Sequence, residues 1–168
     1  YRAAQPKTYY VDPNISFGTR ARELIIEALT SLNNQGFDFS QYDSNHDGAI
    51  DALNCFYAGD PDSAWATGLW PHAWSVSFSA DGVHTDSYQM TNMGTSLALA
   101  TFCHENGHML CGYSDIYDYE YNSVGGAGQF CLMNSGGHGH KPVQVCAYLK
   151  YASGWTTTIE VEKDQYLL

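Results

Sequence analysis

The sequence is poor in positive charge, has no long apolar run and pairs none of its cysteines as CxxC, and each shortage removes a class of protein. Seven Lys and Arg stand against 18 Asp and Glu in 168 residues, a formal net charge of −11. A surface of that sign repels phosphate backbones, so no nucleic-acid partner is expected. No stretch approaches the roughly 20 consecutive apolar residues that a membrane-spanning helix needs, so no transmembrane segment is expected. Without a CxxC pair among Cys55, Cys103, Cys111, Cys131 and Cys146, a zinc site built from four cysteines has no support. An odd number of thiols leaves at least one outside any intrachain bridge. Cys103 and Cys111 on one helix would stand about 12 Å apart at a rise of about 1.5 Å per residue, too far to bond. Cys111 with Cys131 is the favoured disulfide, because both flank the motif described below. No heptad pattern calls for a coiled-coil partner, and a monomer of one domain is expected over residues 1–168. Tyr1 in first place fits a processed product or an excised piece, and a mature secreted chain would have lost its signal peptide.

What is present is read by periodicity. Residues 1–18, punctuated by Pro6 and Pro13, predict an extended N-terminal arm. Ala21, Leu24, Ile25, Ala28, Leu29 and Leu32 recur at helical spacing, with Thr19 as the expected N-cap and Asn33, Asn34 and Gly36 as stop signals. Residues 50–57 predict a strand. Trp74, Val76 and Phe78 alternate with serines as a half-buried strand does, and Asp81-Gly82 predicts a hairpin turn into a strand over 83–90. That second strand, beside an active-site helix, is a candidate for pairing with an extended substrate. Residues 96–110 predict a helix whose apolar start, Leu97-Ala98-Leu99-Ala100, places it within the core. Pro142 is expected to open a helix through Ala152, and residues 156–161 a last short strand. Between them, residues 112–141 are rich in Gly, Tyr, Asp and Ser, and an irregular stretch of that length usually has a function.

The helix over 96–110 carries His104-Glu105-Asn106-Gly107-His108. At about 3.6 residues per turn the two histidines leave the same face and can meet one zinc ion, while Glu105 is displaced around the axis. Glu105 is then placed to take a proton from a water activated by the metal and to return it to a leaving amine. A catalytic zinc site needs a third protein ligand and an open position. Asp115 is the first candidate, because Cys111-Gly112 lets the chain leave the helix and turn back; Asp118, Glu120, His138 and His140 are its competitors. Met133, in the turn-like segment 132–137, is a candidate floor beneath the imidazoles.

A second metal signal lies upstream. Asp43, Asn45, Asp47 and Asp51 supply oxygens at loop positions 1, 3, 5 and 9, Ala49 offers its carbonyl at 7, and Gly48 stands at 6. A hard cation such as calcium suits that set. Asn54 replaces the usual bidentate Glu at position 12, so a structural calcium ion is expected and an EF-hand pair is not.

Taken together, these segments resemble the M6 family of metallopeptidases, the immune-inhibitor-A-like group of secreted bacterial proteases. The resemblance is carried by residues 42–51 leading to Tyr57-Ala58-Gly59, by Trp70-Pro71-His72-Ala73-Trp74-Ser75, and by the HENGH helix followed by Asp115-Ile116-Tyr117-Asp118. Met133-Asn134-Ser135-Gly136-Gly137 and Tyr151-Ala152-Ser153-Gly154-Trp155 continue it in the same order. It implies an α/β, metzincin-like zincin catalytic domain with a twisted mixed sheet, a central HExxH helix and a Met-turn. It also implies His104, His108 and Asp115 as zinc ligands, Glu105 as catalytic base and Met133 as the Met-turn residue, in a secreted zinc endopeptidase acting on peptides or proteins. The family pattern is close to HExGHxLGxxD; here Cys111 takes the glycine position and Asp115 comes one residue late, as a one-residue insertion in the turn would produce. The rival readings are a non-catalytic metal-binding interaction module on a protease-like fold and a zinc amidase acting on cell-wall peptides.

Overall fold

The apolar stripe that begins at Ala21 forms α2, Thr19–Asn34, and buries Ala21, Ile25 and Leu29. These coordinates are a computed structural model describing residues 1–61, 64–123 and 125–160. Thr19 is not the cap: Gly18 takes that place at φ 76°, a left-handed conformation that glycine adopts at no steric cost, and no side chain caps the helix. The segment before it is not simply extended. It contains a single helical turn, α1, Lys7–Tyr10, and Tyr10 is buried, its hydroxyl donating to Glu27 Oε2 of α2 at 2.9 Å.

A mixed three-stranded sheet takes the other side of that core, in the order β1 (Asn54–Ala58), β3 (Val83–Met93), β2 (His72–Ala80). β1 runs parallel to β3, and β2 antiparallel. The hairpin joining β2 to β3 turns on Asp81 and Gly82, both at positive φ, as the twist of paired strands favours. β1 begins at Asn54, four residues later than the pattern predicts, and Ile50 is instead drawn to His84 by a main-chain hydrogen bond of 2.8 Å. β3 is the central strand, paired with β2 over residues 83–90 and with β1 over residues 89–93. The free edge nearest the motif helix belongs to β2.

Side chains alternate across the sheet. Tyr57, Val76, Tyr88 and Met90 join α2 in the first core cluster. Phe56 points the opposite way and stacks on Phe102 of α3, Leu99–Cys111, with ring centroids 5.4 Å apart. α3 therefore lies on the other face of the sheet, where Thr91 donates to Gln89 Oε1 at 2.6 Å beneath it. It is half buried, not enclosed: Ala100, Glu105 and Gly107 are buried, while Leu110 is 56% exposed. One side of the helix meets the sheet, and the other is left for the irregular segment after it.

That segment builds a second, smaller core from Tyr113, Cys131, Met133 and Leu149. It includes a two-stranded ribbon, β4 (Gly137–His138) with β5 (Lys141–Pro142), and a short helix, α4 (Ala147–Ala152). Pro142 thus ends in a strand, not at the head of a helix. Residues 156–160 form no strand, and Val161 lies outside the described residues. No helix among the described residues is long and apolar enough to cross a membrane.

The cysteine expectation is corrected here. All five thiols are free, and Cys111 is exposed at the end of α3 while Cys131 is fully buried in the second core. The neighbour of Cys131 is Cys146, whose main-chain amide donates to its Sγ at 3.2 Å. The chain returns through 141–146 alongside 131–136, and this long-range path decides which sulfur meets which.

Candidate metal centre

α3 ends at Gly112, at φ 63°, from which Tyr113 donates its amide back to Gly107 at 3.1 Å. This reversal sends the chain back along the helix, and Ile116 is then pinned by its amide to the Met133 carbonyl at 2.9 Å. Asp115 arrives beside the two histidines as a result. Its Oδ1 lies 3.0 Å from His104 Nε2 and 3.3 Å from His108 Nε2, and the two Nε2 atoms are 3.1 Å apart. A tetrahedral set at zinc–ligand distances of about 2.0–2.1 Å has ligand–ligand edges of about 3.3 Å, so the triangle is of the right size. Among the described residues, His104, His108 and Asp115 are the one group of three such side chains whose ligand atoms converge.

His104 Nδ1 faces the Leu132 carbonyl at 2.8 Å, and His108 Nδ1 faces the Tyr113 carbonyl at 2.6 Å. A carbonyl can only accept, so each ring's Nδ1 carries the proton, and in the neutral ring Nε2 is a bare lone pair. Asp115 Oδ1 is buried without a hydrogen-bond partner. Two lone pairs and an anionic oxygen therefore meet with nothing positive between them unless a proton or a cation supplies it. The titration directions follow. Burial acts to lower both histidines, but a protonated Nε2 would donate to Asp115, and that gain with the carbonyl contacts outweighs burial, so both are raised. Burial acts to raise Asp115, but the facing His104 and His108 rings, which donate to it once protonated, and the Tyr119 and Tyr117 hydroxyls hold it well below the usual carboxylate range. Protons on the imidazoles and a metal ion are alternative answers to one electrostatic demand.

Glu105 stands apart from this triangle. It is 8% exposed and its ordinary pKa is raised, chiefly by burial; the two imidazoles and the Ala73 amide pull against that rise, and the Asp115 charge adds to it. Ala73 lies on β2, so the edge strand and α3 together hold the carboxyl. All four side chains line one cleft of about 590 Å³, whose walls include Trp65, Trp70, Trp74, Tyr117 and Tyr119.

The competitors for the third position are engaged elsewhere. Asp118 accepts the amides of Glu120 at 2.9 Å and Ser123 at 2.6 Å. Glu120 accepts from Asn122 at 2.7 Å, and His140 contacts Ser96 at 3.3 Å. The His138 side chain lies outside the described residues. Met133 is fully buried, and its thioether packs against α3 at Gly107, where an added Cβ would stand 2.6 Å from the sulfur.

The loop at 43–51 is folded onto its own main chain. Asp43 accepts the amides of Asp47 at 3.1 Å and Gly48 at 2.9 Å, Asp47 accepts that of Ala49 at 2.9 Å, and Asp51 accepts that of Ser44 at 3.2 Å. Its carboxylates are not drawn together as the histidine group is.

Sequence reasoning passed over Tyr117 and Tyr119, whose hydroxyls both donate to Asp115 Oδ2, that of Tyr117 at 2.9 Å. The signal was available: in Asp115-Ile116-Tyr117-Asp118-Tyr119, alternate residues of a non-helical segment fall on one side. No family model matches the chain, and a search of curated proteins finds no relative that matches it.

Proposed function

We propose that the protein is a secreted, zinc-dependent endopeptidase built as a metzincin-like zincin domain, with Met133 as its Met-turn residue. The observation that carries this reading is the convergence of His104, His108 and Asp115 in a cleft with a buried, separate Glu105 beside them. Zinc suits two imidazoles and one carboxylate with a place left open, and when bound it supplies Lewis acidity toward a water and a carbonyl. The chain's own residues do the rest. Leu132 and Tyr113 hold the imidazoles in the tautomer that offers Nε2. Glu105, its pKa raised by burial, accepts a proton from water as a carboxylate and passes it to the departing amine. The free edge of β2 can pair with the main chain of an extended peptide, and the aromatic walls exclude water around the reacting carbonyl.

A pure metal-binding module has no use for an acid–base group at Glu105, which favours catalysis over that rival. The test is Glu105→Gln assayed against a protein substrate and against cell-wall peptide. The variant is expected to keep its zinc and lose protein digestion, by about 10²–10⁴-fold for loss of the proton-transfer group. Undiminished digestion would sink the mechanism, and activity on cell-wall peptide alone would favour the amidase.

A further inference from the structure

We propose that Tyr117 and Tyr119 are positioning residues that hold Asp115 as a one-oxygen metal ligand. The inference rests on the metal-site reading above and goes beyond its three ligands. The two oxygens of Asp115 have opposite surroundings. Oδ2 accepts from both tyrosine hydroxyls. Oδ1 is buried, without a hydrogen-bond partner, and directed at both Nε2 atoms. Two donors fill the acceptor directions of Oδ2, so turning that oxygen toward a cation would break both hydrogen bonds. A two-oxygen grip by Asp115 is thereby disfavoured, and the position it would have filled stays open for water or substrate.

The clamp is itself supported. Ile116, between Asp115 and Tyr117, donates to the Met133 carbonyl and accepts from Asn134 Nδ2 at 3.0 Å, which pins the main chain on both sides. The Tyr117 and Tyr119 rings lie 4.6 Å apart between centroids, and Tyr119 reaches Trp65 across the cleft at 6.5 Å. Phenylalanine at either position keeps these ring contacts and removes only the hydroxyl, so the variants separate the hydrogen bond from the packing.

The experiment is zinc affinity of the metal-stripped chain, by competition with a chromophoric chelator, for wild type, Tyr117→Phe, Tyr119→Phe and the double variant. Outer hydrogen bonds to metal ligands are worth about 10–100-fold in affinity, and the double variant is expected to fall by that factor. Its metal-free far-ultraviolet circular dichroism should match wild type, while its thermal midpoint falls with the two lost hydrogen bonds. Cobalt substitution gives a second readout: release of Oδ2 raises the coordination number, which weakens the visible absorption. Zinc affinity within twofold of wild type, with an unchanged cobalt spectrum, overturns the clamp alone. Absence of zinc binding by the wild-type chain overturns the metal reading and the clamp with it.

Discussion

Gly107→Ala tests the contact between the motif helix and the turn beneath it. In an ordinary helix interior this change stabilises by about 1 kcal/mol, because alanine loses less backbone freedom on folding. Here the new methyl would stand 2.6 Å from Met133 Sδ, 3.3 Å from its Cε and 3.5 Å from a Tyr113 ring carbon. Met133 is fully buried, so its thioether cannot swing into solvent, and overpacking of this kind costs about 1–3 kcal/mol. The single variant should therefore forgo the helix gain and end near neutral or destabilised by up to about 2 kcal/mol. Met133→Ala alone should cost about 2–5 kcal/mol through the cavity it leaves. With both changes the clash is gone, and the methyl at 107 recovers its helix benefit while filling part of that cavity. The two effects should be coupled by about 1–3 kcal/mol, toward stability in the double variant. Urea unfolding of the four metal-free proteins, compared at a common slope, measures the cycle. Additivity within about 0.5 kcal/mol, or stabilisation by Gly107→Ala alone, refutes the reasoning.

Three further outcomes are expected. His104 and His108 both have raised folded pKa values, against the unperturbed 6.5, so their proton-linked contribution to metal-free stability is present below pH 6.5 and is lost as pH rises through the folded values. Zinc must displace those protons, so its affinity should climb over the same window; equal proton release at pH 6.5 and pH 9, by calorimetry in two buffers, would contradict this. Calcium held by the 43–51 loop should stabilise the fold by about 2.7 kcal/mol at roughly 100 times its dissociation constant, with the gain abolished in Asp43→Asn. A melting temperature indifferent to calcium would dismiss that site. In a buffer of small-molecule thiol and disulfide, two-electron oxidation by the reagent should join Cys131 to Cys146, releasing two reduced thiols. Peptide mapping that finds Cys111 in the bridge instead would reverse the pairing.

Short-range features were legible without a structure because their physics is periodic. Helical spacing alone puts His104 and His108 on one face, the α2 stripe announces its buried side, and Asp81-Gly82 announces its hairpin. Errors gathered where position depends on contacts distant in sequence. The order of strands cannot be read from alternation, so β3 looked as available for pairing as β2 until its two neighbours were known. The apolar start of α3 suggested enclosure, but an all-round apolar stretch says only that contacts are sought, not that every side finds one.

The same division runs through the site. Two imidazoles and a carboxyl were determined by residues within one turn of helix. The third side chain, the tautomers and the tyrosine clamp were decided by tertiary structure alone. Asp115 reaches the histidines because Gly112 reverses the chain and Met133 receives Ile116, and an irregular segment has no period from which such a path can be read. Its neighbours Asp118 and Glu120 have the same chemistry and different partners. Carboxylates so alike in sequence are told apart only by where the folded backbone leaves their oxygens.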